Sequence, residues 1–204
     1  MKHKLNIFGK SVEITEDQLE KIRDLLGIQP VKLAEVPAGA TFTAGGREYI
    51  VLQQSGGETV ALLKEIYKSS VEFGTNNCYE GSYADSACCD FLKEICETIG
   101  SEHIHEFDLD LISDDGLKDY GVIKRSAALL TTEMYRRYVD ILDRYMPEGY
   151  WWLSTPHSTA RHGNDSWVKC VSPSGRIHDF YFNCDDDCGV RPFCIFDSSI
   201  FVSV

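Results

Sequence analysis

Turn signals cut this chain into short segments, and that limits what it can fold into more than any other feature. Gly45-Gly46 and Ser55-Gly56-Gly57 separate three stretches near 40–43, 47–54 and 58–64. Glycine takes the positive-φ positions of tight turns without steric cost, so from residue 31 the chain reads as short strands of period two joined by hairpins. Later, Thr155-Pro156, Pro173-Ser-Gly175 and Cys188-Gly189 leave room only for short strands and long connecting loops. Two segments escape the chopping. Ser82 precedes a helical pattern running from about 83 to 99, with Cys88, Leu92, Ile95, Cys96 and Ile99 on one face and Gly100 at its end. Thr131 precedes a second, through about Tyr145, with Met134, Tyr138, Ile141 and Leu142 as its apolar stripe. Val122 to Leu130 reads as one further strand. Two helices set between early and late strands predict an α+β fold whose last strands return to the first sheet.

The N-terminus is organised differently. Residues 4–8 and 11–14 read as two strands around Gly9-Lys10, and Thr15-Glu-Asp-Gln18 has the spacing of a capping box. Leu19, Ile22, Leu25 and Leu26 follow at helical spacing until Gly27. This ββα unit, residues 1–29, holds too few apolar residues to fold alone and is expected to serve assembly, as an oligomer contact, or a partner. Gln29-Pro30 reads as the linker to a main domain over residues 31–204.

A chain of 204 residues buries roughly 70% of its surface on folding, enough for one core and a small appendage. Its 20 basic and 32 acidic side chains give a net charge of -12, divided as -5 over residues 1–100 and -7 over 101–204. That charge opposes direct nucleic-acid binding, which works by neutralising phosphates with a basic face. No apolar run reaches the ~18–20 residues that a membrane-spanning helix needs, and the first residues lack the apolar stretch of a signal peptide, so a cytoplasmic protein with no membrane partner is expected. The eight cysteines form no C-x2-C pair and are too sparse for a disulfide scaffold, so they are expected to be reduced thiols. Cys184-Asp-Asp-Asp-Cys188, with His178 nearby, mixes soft and hard ligands and reads as an acidic turn flanked by two thiols.

Catalytic signatures are absent. The chain has no G-x-S-x-G, phosphate loop, dinucleotide fingerprint, H-E-x-x-H or deaminase motif, and Ser154, His157 and Asp165 make no triad by proximity alone. Neither Asp114-Asp115-Gly116 nor Asp185-Asp-Asp187 alternates its ligands as a calcium loop does. The reading is therefore of a non-enzyme with no catalytic residues, no metal and no cofactor. Residues 101–121 carry seven acids and one lysine. Phe107, Leu109 and Leu111 alternate there with Asp108 and Asp110, so the charge run is explained by the wet face of a strand and the loop after it.

Potential contact residues gather further on: His157, Arg161, His162, Asn164, Asp165, Trp167, Arg176, His178, Asp179, Tyr181, Phe182, Asn183 and Asp186. Rings and amides mixed on loops suit a binding surface, where rigid aromatics give area and amides give adaptable hydrogen bonds. The competing reading puts Trp167 in the core and leaves the rest on solvated turns.

Three elements in order carry a resemblance: Trp151-Trp-Leu-Ser-Thr-Pro156, Trp167-Val-Lys-Cys-Val-Ser-Pro-Ser-Gly175 and Gly189-Val-Arg-Pro-Phe193. With Phe42-Thr-Ala-Gly-Gly-Arg-Glu-Tyr-Ile-Val-Leu52 before them, they are similar to an uncharacterised bacterial and phage domain family with W-W-L-x-[ST]-P and G-V-R-P motifs, over roughly residues 33–200. The family resembles the C-type lectins in fold, and more distantly phage variable receptor-binding proteins and formylglycine-generating enzymes. The resemblance implies a C-type-lectin-like core in which first and last strands pair. Trp151, Trp152 and Arg191 would then be scaffold, and loops 157–166 and 178–188 the ligand face. The disulfides and W-N-D calcium motif of animal lectins are missing, and Cys184 and Cys188 do not fit the redox pair of the enzymes. The function implied is a phage or mobile-element binding module for a protein or glycan ligand, cytoplasmic in a bacterial host or virion-associated. Two alternatives stand beside it: an acidic intracellular inhibitor that mimics nucleic acid against a host defence nuclease, and a formylglycine-type copper oxidase.

Overall fold

The computed structural model describes residues 2–7, 10–15, 18, 21, 22, 30–184 and 188–204. Strands β1 (Lys2–Ile7) and β2 (Lys10–Thr15) pair antiparallel with Ile7 opposite Lys10, a longer hairpin than the sequence suggests. The capping box forms: the Thr15 N–H donates to Gln18 Oε1 at 2.9 Å, and the Gln18 N–H returns to Thr15 Oγ1 at 3.4 Å. Gln18, Lys21 and Ile22 are helical. The rest of the expected helix, its Gly27 end and Gln29 lie outside the described residues.

The span from residue 30 is a mixed α+β structure of two helices and many antiparallel strands. Strand β3 (Val31–Lys32) opens it, and β4 (Thr41–Ala44), β5 (Arg47–Ser55) and β6 (Glu58–Leu63) follow as a meander. Both connecting turns place two glycines at positive φ, Gly45 and Gly46 at 56° and 74°, Gly56 and Gly57 at 61° and 87°. This is the turn geometry whose twist matches the flanking strands. Helix α1 (Tyr83–Ile99) comes next, then β7 (Ile104–His105), β8 (Phe107–Asp110), β9 (Val122–Arg125) and β10 (Ala127–Leu129). Helix α2 (Thr132–Leu142) leads to β11 (Tyr150–Pro156), β12 (Trp167–Val171), β13 (Ile177–Tyr181), β14 (Cys188–Gly189), β15 (Pro192–Asp197) and β16 (Phe201–Val202).

The main sheet runs β10-β15-β6-β5-β4, with β7 also pairing β15. The late strand β15 therefore returns to the first sheet, and β16 pairs β3. Both faces of this sheet are covered. Tyr49 and Val51 of β5, Ala61 and Leu63 of β6, and Phe196 of β15 face one core; Ile50, Leu52, Leu62 and Phe193 face the other. A strand buried on both sides needs apolar residues at every position. That explains the runs Tyr49-Ile-Val-Leu52 and Val60-Ala-Leu-Leu63 where strict alternation is expected from a half-buried strand.

Helix α1 obeys its sequence signals. The Ser82 hydroxyl accepts from the Asp85 N–H at 3.0 Å, and Gly100 caps the end at φ 97°. Its face enters one core with Ala84, Ala87 and Cys88 and the other with Phe91 and Ile95. In α2, Thr131 Oγ1 accepts from the Met134 N–H at 3.1 Å. Its buried residues are Thr132, Tyr135, Tyr138 and Leu142, so Tyr135 belongs to the stripe while Met134 and Ile141 lie at its margins. The helix stops at Leu142 and tightens into one 3-10 turn to Tyr145. There the Tyr145 hydroxyl donates to Gly39 O at 2.9 Å, and its carbonyl receives Arg191.

One expected strand is two. Residues 122–130 break at Ser126: β9 pairs β8, while β10 joins β15 in the main sheet. Arg125 marks the break, its guanidinium reaching back to Asp85 on α1 at 2.6 and 2.8 Å.

The second sheet runs β13-β12-β11-β14, and every residue of β11 after Tyr150 is buried. Successive side chains of a strand face opposite ways. Trp151 accordingly meets Tyr135 and Arg191, while Trp152 meets Phe73 and Phe180 and donates its indole N–H to Val71 O at 2.7 Å. Arg191 is fully buried and donates to the carbonyls of Leu63 (2.9 Å), Lys64 (2.7 Å) and Tyr145 (3.0 Å). No helix among the described residues is long and apolar enough to cross a membrane.

Candidate binding surface

The loop of residues 157–166 joins β11 to β12, and its course is set by side chains far away in sequence. Asn77, fully buried, donates its amide to the carbonyls of Ser158 (3.0 Å) and Trp167 (3.1 Å), and its backbone N–H to Asp165 O (2.8 Å). Its own Oδ1 accepts from the Tyr120 hydroxyl at 2.7 Å. An amide has enough donors and acceptors to satisfy several loop carbonyls at once, which is how an irregular segment can be held without a ladder.

A second brace comes from the acidic loop between β8 and β9. Asp115 accepts from the hydroxyls of Ser113 (2.5 Å) and Ser158 (2.6 Å) and contacts His162 Nδ1 at 3.0 Å. These bonds hold its carboxyl well below the usual range. Asp119 accepts from the Thr159 hydroxyl at 2.7 Å and from Arg161 at 3.1 Å, and its pKa is lowered for the same reasons in that order. The plain explanation of the charge run is thus corrected in part. Asp108 and Asp110 are the wet face of a strand, but Asp115 and Asp119 are the clamps of a neighbouring loop.

On β12, Lys169 is only 6% exposed and lies directly opposite Asp179 on β13. Its ammonium meets Asp179 at 2.8 Å, Asp114 at 3.0 Å and His157 Nδ1 at 3.4 Å, and His157 in turn meets Asp179 at 3.0 Å. Burial works to lower the Lys169 pKa, but the hydrogen bonds to Asp179 and Asp114 outweigh it and leave it above the ordinary value. A lysine held charged is a donor, not a nucleophile.

Beside this network the open end of the β12–β13 hairpin carries a pair of rings. Trp167 is 39% and Tyr181 44% exposed, opposite one another with centroids 5.0 Å apart at 74°. Trp167 is therefore not core. Since alternate residues share a face, Trp167, Lys169, Asp179 and Tyr181 line one side of the hairpin, with His157 against it.

The predicted residues divide accordingly. His157, Asp179 and Tyr181 come together on this face. Arg161 and His162 are tied down as loop braces, and Asn164 and Asp165 offer their carbonyls to Asn77. His178 points the other way, packed on Tyr150 and Phe180. Arg176 sits exposed in the hairpin turn, one residue beyond the last rung and roughly 17 Å along the strand from the ring pair. Asn183 is exposed beyond β13, and Asp186 lies outside the described residues. Sequence reasoning does not find Asn77, Asp114, Asp115, Asp119 or Lys169. Their bonds join segments distant along the chain, and no periodicity marks such partners. Among the described residues, no group of three or more His, Cys, Asp or Glu side chains is placed to hold a metal ion.

No family model, curated protein or solved structure matches the chain.

Proposed function

We propose that residues 31–204 form a C-type-lectin-like domain, and that the protein is a non-enzymatic binding module of phage or mobile-element type, recognising a protein or glycan through the β12–β13 face and loop 157–166. The fold reading draws support from the pairing of first and last strands of this span, β3 with β16, and from the long polar loop after β11. The function rests on one observation: two exposed rings, Trp167 and Tyr181, stand on a rigid hairpin beside a braced loop. Rings on an ordered backbone offer contact area at little entropic cost. The nucleic-acid-mimic reading draws less support, because Asp114, Asp115, Asp119 and Asp179 spend their oxygens on their own chain. So does the oxidase reading, since Cys88, Cys170, Cys188 and Cys194 are all fully buried, away from any surface a substrate could reach.

Trp151 and Trp152 are inaccessible, so acrylamide quenching of tryptophan emission reports on Trp167. A ligand captured from a bacterial lysate or a glycan array is expected to protect that emission. The double substitution Trp167→Ala, Tyr181→Ala is expected to abolish capture, and capture that survives it would sink the reading.

A further inference from the structure

A small cleft of about 150 Å³ opens at the N-terminal end of α2, between the start of that helix, the end of β11 and the acidic loop. None of its lining residues belongs to the Trp167–Tyr181 face, although Asp114 reaches Lys169 there, and the ligand inferred here does not rest on the function proposed for that face. Thr132 lines it, is 2% exposed, and its Oγ1 has no hydrogen-bond partner among the described residues. A buried hydroxyl left unpaired is costly, and a valine of the same shape would avoid that cost. Thr155 lines it too; its Oγ1 accepts from the Thr132 N–H at 2.9 Å, which leaves its own hydroxyl hydrogen to offer.

Three carboxylates, Asp110, Asp114 and Glu133, and one guanidinium, Arg136, line it, with Arg136 3.4 Å from Asp114 Oδ1. Two cations from outside the lining sit on these carboxylates: Lys169, 3.0 Å from Asp114 Oδ2, and Arg137, 2.8 Å from Glu133. An anion would meet three carboxylates, and an ammonium would meet cations already seated on two of them. What this lining lacks is a group that donates to carboxylates and accepts from a guanidinium and a threonine hydroxyl at once. A hydroxyl does both at a single atom, whereas an amide divides the two roles between separate atoms and needs more room. The volume equals that of about five liquid waters, too small for a peptide side chain and its backbone but enough for a triol or the edge of one sugar ring.

We infer that this cleft is a binding site for a neutral ligand bearing neighbouring hydroxyl groups, a small polyol or the terminal residue of a glycan, with Thr132, Thr155, Asp110 and Arg136 as its contacts.

The full chain would be titrated with glycerol, myo-inositol and methyl hexopyranosides while backbone amide shifts are followed by NMR, with a glycan array as a parallel arm. Saturable shifts centred on Thr132, Thr155 and Arg136 are expected, with affinity on the order of millimolar for ligands this small. Thr132→Val should weaken binding about tenfold, the scale of one lost hydrogen bond, while its melting temperature equals or exceeds that of the unaltered protein. Thr132→Ser should retain binding, Asp110→Asn should weaken it, and Trp167→Ala should leave it unchanged. Binding of free polyols alone assigns the site to a small molecule, and binding of glycosides and array glycans assigns it to a glycan end; both support the inference. It is overturned if no neutral polyol gives a saturable shift, in which case the orphan hydroxyl is a water site. It is also overturned if methylammonium binds instead and salt abolishes it, or if Thr132→Val and Asp110→Asn both bind unchanged.

Discussion

Two buried cations in this protein are neutralised in opposite ways. Arg191 has no carboxylate in ion-pair range among the described residues; three backbone carbonyls and the face of Trp151, 5.1 Å from its guanidinium carbon, take that place. Lys169 instead sits between two carboxylates and a histidine. The difference follows from shape. A planar fork of five donors satisfies diverging carbonyls from three segments, whereas a compact ammonium needs point charges close by. Burial pulls the Arg191 pKa down to about 10, so it remains charged at neutral pH. The arginine thus ties the main sheet to the end of α2 from inside the core. The lysine stiffens a hairpin whose other residues reach solvent.

Four measurements test that contrast. Arg191→Ala should cost about 3–5 kcal/mol in urea unfolding, from orphaned carbonyls and a cavity together. Arg191→Lys should recover only part, because one ammonium cannot span the Leu63, Lys64 and Tyr145 carbonyls. Lys169→Met should cost less, about 2 kcal/mol, since Asp114 and Asp179 are 27% and 35% exposed and water screens them once unpaired. If the order of these two costs is reversed, the contrast fails. Lys169 also carries a pH signature. Its folded pKa is raised, so its contribution is complete below the unfolded value of about 10.4 and is lost only as pH rises through the folded one. The stability gap between Lys169→Met and the unaltered chain should therefore hold steady across neutral pH and close in strong base.

Smaller effects follow at the helix start and the loop. Ser82→Ala should cost about 1 kcal/mol, by loss of the bond to the Asp85 N–H. Asp115 behaves in the opposite sense to Lys169: its pKa is depressed, so its bracing is present above the ordinary value near 3.9 and lost as pH falls through the lower folded value. The protection factors of amides 158–162, their exchange rates set against those of an unstructured chain at the same pH, should fall in strong acid in the unaltered chain. In Asp115→Asn they should be low already at neutral pH, with global stability little changed. Loop amides equally protected in both would show that Asn77 alone holds the loop.

Local chemistry made much of the fold legible. Ser82 and Gly100 bound α1 to the residue because capping is decided within one turn, and the glycine pairs set both hairpins of the first sheet. The split between β9 and β10 was not legible, because Val122 to Leu130 has uniform strand character and only the Arg125–Asp85 ion pair and the change of partner strand divide it. In the candidate surface, the aromatic and polar richness of 157–183 marks the segment that carries the ring pair and the Lys169 network. It does not separate His178, on the far side of the hairpin, from His157 and Asp179, because face depends on register.

Short-range interactions settle the elements: the α+β content, both helix starts and the glycine turns are each decided within a few residues. Which polar groups act together is set by contacts between distant segments. Asn77, Asp115, Asp119 and Lys169 acquire their roles by meeting partners from distant segments, in a desolvated setting where each unpaired group would be costly, and such meetings leave no period in the chain.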